Sequence, residues 1–166
     1  MTMHSEDHII IDAPPARIYD LAAHIERWPD ILPHYRYVTL FQDDGRTRLA
    51  EMAATRDGGF PVKWTSIEEI DPAQHSIRFR HVRGVTRGMD VQWIIKPGPS
   101  GTDVRIVHDF NPPWPRIVGP LFARYVVGNF IHNIASKTLR TIKGLAEADQ
   151  RQRNVVCHSV DNSTSQ

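Results

Sequence analysis

The sequence predicts an α+β fold in which a long C-terminal helix packs against an antiparallel sheet. Residues 35–110 alternate apolar and polar side chains in six short segments separated by turn residues, which is typical of a meander of strands. Residues 121–148 instead space their apolar side chains three or four positions apart, as an amphipathic helix does. A helix of that length needs a broad apolar partner surface, and the sheet can supply it.

The predicted helix at residues 121–148 buries one stripe of side chains. Apolar residues recur at helical spacing on that stripe: Val127, Ile131, Ile134, Ile142 and Leu145. The opposite face is polar: His132, Ser136, Lys137, Arg140, Lys143 and Glu147. Thr138 lies near the centre of the stripe and Arg124 at its edge, where aliphatic residues are more usual. Either Thr138 bonds to its own helix while Arg124 extends into solvent, or the helix covers a cavity.

The chain before residue 35 contains a first strand and two short helices. The strand is predicted at residues 8–12, and Pro14 and Pro15 end it. Either proline can begin the helix that follows. Apolar residues then recur at helical spacing: Ile18, Tyr19, Leu21, Ala22 and Ile25. Pro29 and Pro33 divide the next segment into a short second helix and an exit turn.

Six further strands follow as a meander. Turn residues such as Asp43-Asp44-Gly45 separate them, and the connections have hairpin length. The strands are predicted at residues 35–42, 46–55, 60–70, 76–83, 89–96 and 102–110. With the first strand, the predicted sheet has seven strands.

Alternation assigns one face of each strand to the interior of the protein. That face combines large aromatic, small and polar side chains: Ala50, Met52, Ala54, Val62, Trp64, Ser66, Glu68, Ile70, Ile77, Phe79, His81, Arg83, Met89, Val91, Trp93, Ile95, Val104, Ile106, His108 and Phe110. Hairpin geometry sets Ser66 opposite His81 and His108 near Val91. Aromatic side chains with a few converging polar groups are the usual lining of a small-molecule pocket. Alternatively, Glu68 lies in water at a strand end and the histidines are structural.

Composition excludes several classes of function. The 166 residues have a formal net charge of +1, with 40% hydrophobic and 23% charged residues, which is typical of one globular domain and gives no basis for nucleic-acid binding. One cysteine and unpaired histidine spacings give no disulfide or metal motif, so we expect no metal and no cofactor. The polar N-terminus is no signal peptide and no apolar run is long enough for a membrane span, so we expect a cytoplasmic protein.

The predicted domain covers residues 1–150. Residues 151–166 are polar and are expected to form a disordered tail that contains Cys157. The sequence does not indicate an oligomeric state.

The segment at residues 11–35, IDAPPARIYDLAAHIERWPDILPHY, resembles the opening of the polyketide cyclase/dehydrase (aromatase/cyclase) family of the START-like SRPBCC superfamily. The resemblance extends over residues 8–148. Its marks are a strand that ends in APP, a helix, WP followed by a tyrosine, the tryptophans Trp64 and Trp93 on two inner strands, and a terminal helix. It implies a helix-grip (START-like) fold, in which a curved seven-stranded sheet grips the long helix around an internal cavity.

The resemblance implies that this cavity holds an aromatic, polyketide-like or quinone-like molecule. In the family, a tyrosine at the Tyr35 position, a serine at Ser66 and tryptophans at Trp28, Trp64 and Trp93 belong to the pocket region. Combined with the inner-face pattern, this gives the expected catalytic residues Tyr35, Ser66, Glu68 and His81. The expected ligand contacts are Trp28, Met52, Trp64, Phe79, Met89, Trp93, His108, Phe110, Phe130, Ile134 and Thr138.

One position departs from the family pattern. Polyketide aromatase/cyclases carry an arginine two residues after the serine, thought to polarise a carbonyl, and this chain has Glu68 there. A carboxylate cannot donate a hydrogen bond to an enolate unless it is protonated. His81 on the facing strand can replace the arginine as a donor or base. We expect the pKa of Glu68 to be raised by its apolar surroundings unless Arg83 or another cation reaches it.

Two hypotheses of different class follow. The protein is an enzyme that folds a poly-β-ketone and promotes its aldol cyclisation and dehydration, and an acyl carrier protein is then a possible partner. Alternatively, it is a non-catalytic protein that binds or carries a quinone, a lipid or a polyketide. The match around Trp28-Pro29 favours the enzyme, and Glu68 at the arginine position favours the carrier.

Overall fold

The computed structural model describes residues 3–111 and 131–161, with side chains described as far as residue 155. Its strands are β1 Met3–Ile11, β2 Tyr35–Asp43, β3 Thr47–Thr55, β4 Pro61–Asp71, β5 Ser76–Gly84, β6 Met89–Gly98 and β7 Gly101–Phe110. Its helices are α1 Pro15–Ala23, a single 3₁₀ turn Ile25–Arg27, α2 Trp28–Ile31 and α3 His132–Asp161. This is the predicted α+β order, with the two short helices after the first strand.

The seven strands form one antiparallel sheet in the order β1-β7-β6-β5-β4-β3-β2. Because β1 and β2 lie at opposite edges, α1 and α2 must carry the chain from one edge of the sheet to the other. Consecutive strands from β2 to β7 are neighbours, as a meander requires. The predicted register is confirmed, since Ser66 pairs with His81 and Val91 pairs with His108.

Helix α3 packs its apolar side against β1, α1 and the interior of the sheet. Ile131, Ile134, Thr138 and Ile142 are buried, as the periodicity predicts, and Arg140 on the opposite side is exposed. Polar contacts fix the helix beyond this apolar stripe. Arg17 donates from Nε to Asp149 over 2.7 Å, Lys143 donates to the Ile10 carbonyl over 2.7 Å, and the Asp12 amide donates to Glu147 over 3.0 Å.

Two expectations need correction. The first strand is longer than residues 8–12, because Met3–Ile11 pairs with β7 along its whole length. His4, Glu6 and His8 are exposed, and the buried Asp7 pairs with His132 of α3. The C-terminal helix continues as far as Asp161 and so includes residues 151–161, which the sequence analysis placed in the tail. Arginine and glutamine have good helix propensity, and extending an existing helix is far easier than starting one. Arg83 is exposed rather than inward-facing, because it lies beyond Arg80, where pairing between β5 and β6 ends.

Part of the predicted C-terminal helix, residues 121–130 with Arg124, Val127 and Phe130, lies outside the described residues. In the ranges that are described, no helix is long and apolar enough to cross a membrane. The same ranges contain no group of three His, Cys, Asp or Glu side chains arranged to hold a metal ion.

Candidate functional site

A cavity of about 70 Å³ lies between the inner face of the sheet and α3. Its lining is mainly aromatic and aliphatic: Trp28, Tyr35, Met52, Trp64, Phe79, His81, Met89, Val91, Trp93, Ile106, His108, Ile131, Ile134, Ala135 and Thr138. This volume holds a few water molecules, whereas pockets for drug-sized ligands have roughly 300–1,000 Å³. A larger ligand must therefore displace some of these side chains when it enters.

The structure brings most of the expected site residues together. The cavity wall contains two of the expected catalytic residues, Tyr35 and His81, and nine of the expected ligand contacts: Trp28, Met52, Trp64, Phe79, Met89, Trp93, His108, Ile134 and Thr138. Phe110 is fully buried but is not part of the wall, and Phe130 is not among the described residues. Ser66 and Glu68 are fully buried and also lie outside the wall.

Aromatic rings form a continuous part of the wall. The rings of Trp28 and Tyr35 meet edge to face with centroids 4.8 Å apart, and those of Tyr35 and Trp64 with centroids 6.1 Å apart. Trp64 stacks on the His81 imidazole at 5.8 Å with an interplanar angle of 13°. Such contacts stabilise ring positions beyond simple burial. They also give the cavity flat apolar surfaces suited to an aromatic guest.

His81 is held by the turn between β5 and β6. Its Nδ1 lies 2.7 Å from the hydroxyl of Thr86, which is fully buried. Gly84 allows the chain to turn here, because its φ is +95° and a Cβ would lie 2.6 Å from the Lys63 carbonyl oxygen. Burial lowers the pKa of His81 to about 3, so the imidazole is neutral at physiological pH. A neutral imidazole offers one donor and one acceptor nitrogen.

His108 faces the same cavity from β7. Burial lowers its pKa to about 3 as well. Its Nδ1 is buried and has no hydrogen-bond partner within the described part of the chain. An unpaired buried nitrogen costs about 1–3 kcal/mol, so it is available to bond a polar group of a ligand.

Thr138 joins α3 to the turn before β2. Its Oγ1 donates to the Ile134 carbonyl over 2.9 Å, and His34 Nε2 lies 2.9 Å from the same Oγ1. Because the hydroxyl proton is used on the carbonyl, His34 must donate from Nε2. Burial lowers the pKa of His34 to about 4, so this neutral tautomer persists at physiological pH. Both alternatives for Thr138 therefore hold, since it bonds to its own helix and also lines the cavity.

Tyr35 stays protonated in this environment. Burial raises the pKa of its phenol. A hydrogen bond with the Thr138 side chain lowers the pKa by a smaller amount, so the net change is upward. The group is therefore a hydrogen-bond donor inside the cavity at any physiological pH. The sequence analysis did not single out His34, which bonds to Thr138, or Thr86, which bonds to His81. Both lie in turns, where alternation gives no signal of direction.

The buried Glu68 carboxyl group contacts Arg48 behind the cavity wall. Arg48 donates from Nη1 to the Ala23 carbonyl over 2.7 Å and lies 3.4 Å from Glu68 Oε2, while its Nε donates to Asp43 over 3.1 Å. Burial raises the pKa of Glu68 to about 8, although Arg48 acts in the opposite direction. A cation other than Arg83 therefore reaches the carboxyl group, and the pKa is raised nevertheless.

Known proteins resemble this chain in sequence. A family model described as polyketide cyclase / dehydrase and lipid transport matches residues 11–135. The chain is 30% identical over 114 residues to the granaticin polyketide synthase bifunctional cyclase/dehydratase of Streptomyces violaceoruber, covering 66% of this chain and 35% of that one. It is 29% identical over 107 residues to a putative polyketide cyclase of Streptomyces halstedii, covering 63% of this chain and 98% of the other.

Solved structures share the fold. The Zhui aromatase/cyclase from Streptomyces sp. R1128 superposes with a TM-score of 0.77 at 21% identity, covering 89% of this chain and 94% of that one. Ginseng major latex-like protein 151 from Panax ginseng gives 0.67 at 15% identity, covering 88% and 98%. These likenesses show a helix-grip fold. Because the family model matches most of the chain, this protein belongs to the polyketide cyclase/dehydrase and lipid transport family.

Proposed function

We propose that the protein binds an aromatic or polyketide-like molecule in the cavity and promotes its aldol cyclisation and dehydration. The observation that carries the proposal is the set of uncharged polar groups on the aromatic wall: the Tyr35 phenol and the His81 and His108 imidazoles. Such groups exchange protons with a ligand without requiring a buried charge in the empty protein. Family membership supports the reaction class.

An aldol cyclisation begins when a base removes a proton from the carbon between two carbonyl groups. The enolate attacks another carbonyl carbon of the same chain, and the new alkoxide takes up a proton. Dehydration then removes this hydroxyl as water, together with an α-proton. We assign proton uptake and return to His81 and hydrogen-bond donation to the carbonyl oxygen to Tyr35. Negative charge on a bound enolate favours the imidazolium and so raises the low pKa of His81.

Ser66 and Glu68 have a supporting role in this proposal. Neither belongs to the cavity wall, and the Glu68 carboxyl group is turned towards Arg48. We assign Glu68 to the buried contact with Arg48 that joins β3, β4 and the end of α1, rather than to acid/base chemistry. His81 and Tyr35 then provide the donors for which related enzymes use an arginine.

The alternative is a non-catalytic protein that binds or transports a quinone or a lipid. The absence of the family's arginine and the low proton affinity of both cavity histidines favour it. Both functions use the cavity. An enzyme releases a chemically changed ligand, whereas a carrier releases the ligand unchanged.

We further propose that an acyl carrier protein delivers the substrate, that residues 1–150 form the ligand-binding domain, and that the protein acts in the cytoplasm.

Turnover of a poly-β-ketone thioester tests the proposal. We expect the wild type to accelerate formation of cyclised, dehydrated product above the buffer rate, as followed by chromatography. Tyr35→Phe should lower this rate by roughly 100- to 1,000-fold because it removes one donor to the developing oxyanion. Tyr37→Phe is the matched control, since Tyr37 lies on the same strand and bonds to Glu51 away from the cavity. Unchanged substrate with wild type would favour the carrier.

A further inference from the structure

A chain of hydrogen-bonding side chains connects the cavity to a depression on the protein surface, here called the surface groove. The groove has a volume of about 550 Å³ and lies between α3, the turn before β2 and the β3–β4 loop. His34 lines the groove, whereas Tyr35 and Thr138 line the cavity. Because His34 also bonds to Thr138, the three side chains span the wall between the two compartments. Neither the resemblance nor the family assignment gives this connection a role.

The hydrogen bonds along this chain have a defined direction. Thr138 Oγ1 donates to the Ile134 carbonyl over 2.9 Å, and His34 Nε2 donates to the same Oγ1 over 2.9 Å. Thr138 also shares a hydrogen bond with Tyr35. The Oγ1 atom therefore has a donor on the groove side and a phenol on the cavity side. A hydroxyl group has one proton and two lone pairs, so it can release its proton on one side while it accepts another on the opposite side.

His34 is the end of the chain that meets solvent. The residue is 9% exposed, whereas Thr138 is 2% exposed. The second ring nitrogen of His34, Nδ1, has no hydrogen-bond partner within the described parts of the chain and still contacts solvent. An imidazole can take up a proton at one nitrogen and release a proton from the other. His34 can therefore exchange protons with water in the surface groove.

Tyr35 needs such a connection if it is to give up its proton. In the proposed aldol step its phenol bonds to the carbonyl oxygen that becomes an alkoxide. Complete transfer of the phenol proton to that oxygen would leave a phenolate in the apolar wall. Burial disfavours this anion, which is why the pKa of the phenol is raised. A neighbouring donor must therefore replace the proton at once, and Thr138 is the neighbour that can do so.

We propose that Thr138 and His34 are positioning residues that also pass a proton between water in the surface groove and Tyr35. This rests on the proposed function of the cavity. As Tyr35 gives its proton to the alkoxide, the Thr138 hydroxyl turns from the Ile134 carbonyl and protonates the phenolate oxygen. His34 Nε2 then protonates Thr138 Oγ1, and a water molecule in the groove protonates His34 Nδ1.

The protons balance over the two stages of the reaction. Each transfer breaks one O–H or N–H bond and forms another, so His34 stays neutral and changes only its tautomer. In the dehydration stage the imidazolium of His81 protonates the leaving hydroxyl group. The same chain, run in reverse, carries the phenol proton out, and the Tyr35 oxygen takes the α-proton of the ligand. One proton enters and one leaves in each turnover, which restores the Nε2–H tautomer of His34.

Hydrogen exchange at the Tyr35 hydroxyl tests the chain without any ligand. The ¹³C resonance of a tyrosine Cζ atom shifts when OH becomes OD, so NMR of Cζ-labelled protein in mixed light and heavy water measures the exchange rate. Thr138→Val keeps the shape of the side chain but removes the hydroxyl, and it should slow exchange at Tyr35 roughly tenfold or more. His34→Gln keeps a donor to Thr138 but cannot shuttle a proton, so it should slow exchange as well. Thr138→Ser retains the hydroxyl and should match the wild type.

Tyr19 provides the internal control in the same spectra. Its hydroxyl is also buried and has no hydrogen-bond partner among the described residues, so its exchange reports general opening of the fold. We expect its rate to be the same in the wild type and the variants. The relay would be overturned if exchange at Tyr35 were unchanged in Thr138→Val and His34→Gln, or if it changed in parallel with exchange at Tyr19.

Turnover of the poly-β-ketone thioester gives a second readout. His34→Ala should lower kcat roughly 10- to 100-fold and leave KM within about threefold, because His34 does not line the cavity. The truncated side chain leaves space open to the groove, so added imidazole should restore part of kcat, which a purely structural role of His34 would not predict. His8→Ala, an exposed change on β1, should keep the wild-type kcat with or without imidazole.

The two tests separate this inference from the proposed function. If the wild type forms no product but Thr138→Val slows exchange at Tyr35 alone, the cavity chemistry fails and the proton path stands. If the wild type forms product, but neither Thr138→Val nor His34→Gln slows exchange at Tyr35 and imidazole restores nothing in His34→Ala, the proton path is overturned and the cavity chemistry stands.

Discussion

Arg48 and Glu68 face each other across the β3–β4 ladder, and Arg48 Nη1 lies 3.4 Å from Glu68 Oε2. The carboxyl group is fully buried, and Oε1 has no hydrogen-bond partner among the described residues. Burial therefore outweighs the nearby guanidinium and raises the pKa to about 8. Near pH 7 the carboxyl group is mostly protonated, so a pH change in the physiological range alters its charge.

This gives a prediction for stability. The pKa of Glu68 is 4.5 in the reference state and about 8 in the folded protein. The group's contribution is therefore complete below pH 4.5 and is lost as the pH rises through 8. The side chain of Glu68→Gln cannot ionise. The melting temperature of this variant relative to that of the wild type should therefore rise by a few degrees between pH 5 and pH 8.5. Circular dichroism melts at these pH values measure the difference.

The exposed neighbour Glu69 provides the control. Glu69→Gln should show no pH-dependent difference from wild type. The comparison between variants is essential because buried neutral His34, His81 and His108 act in the opposite sense. Their lowered pKa values give stability that is lost as the pH falls below 6.5. A gap between Glu68→Gln and wild type that is constant with pH would contradict the assignment.

A second prediction concerns the Thr86 hydroxyl as a positioning group. Thr86→Val keeps the shape of the side chain but leaves His81 Nδ1 without its partner at 2.7 Å. If His81 moves protons in the cavity, kcat for product formation should fall roughly tenfold while KM stays within about threefold. The pH dependence of kcat should shift as well, since this bond sets the tautomer of the imidazole. Thr39→Val, an exposed change on β2, should alter neither value.

A third prediction tests how α3 is held. Ile142 is fully buried in the core, whereas Leu145 is only partly buried beside it. Ile142→Ala should lower the free energy of unfolding by about 2–5 kcal/mol through lost burial and an unfilled cavity. Leu145→Ala should lower the free energy of unfolding by a clearly smaller amount in the same urea titration. Equal losses would show that the two positions are packed alike.

A fourth prediction uses tryptophan fluorescence. Trp28, Trp64 and Trp93 all line the cavity, so an aromatic ligand should quench their emission and raise the melting temperature by mass action. Met52→Trp fills part of the 70 Å³ cavity from β3 and should weaken both responses. Phe41→Trp, which lies on an exposed part of β2, is the matched control. Quenching that survives unchanged in Met52→Trp would place the ligand elsewhere.

Sequence reasoning captured those parts of the fold that periodicity determines. Alternation and turn residues gave the six meander strands to within two residues, and therefore the pairing of Ser66 with His81. It missed the contacts of Thr86 and His34, because side chains in turns follow no period. It named Arg83 as one cation that could reach Glu68 and left another cation open. A β-bulge between Thr65 and Ser66 and the end of the β5–β6 pairing leave Arg83 exposed, and Arg48 is the cation beside Glu68.

The alternation of apolar and polar residues also could not predict the volume of the cavity. Which side chains face inward follows from alternation, but how closely Trp28 packs on Phe79 depends on rotamers and on the path of α2. The ring centroids lie 6.0 Å apart. Small differences in such contacts decide between a filled core and an open pocket.

The most direct test compares wild type, His81→Ala and His8→Ala with a poly-β-ketone thioester, measuring ligand affinity and the single-turnover rate of cyclised product in the same samples. His8 is exposed on β1, so its removal is the matched control. The account predicts that His81→Ala binds the substrate within a few-fold of wild type and forms product roughly 100-fold or more slowly, while His8→Ala matches wild type in both. Equal rates for wild type, His81→Ala and buffer, with binding intact, would contradict it and identify a ligand carrier.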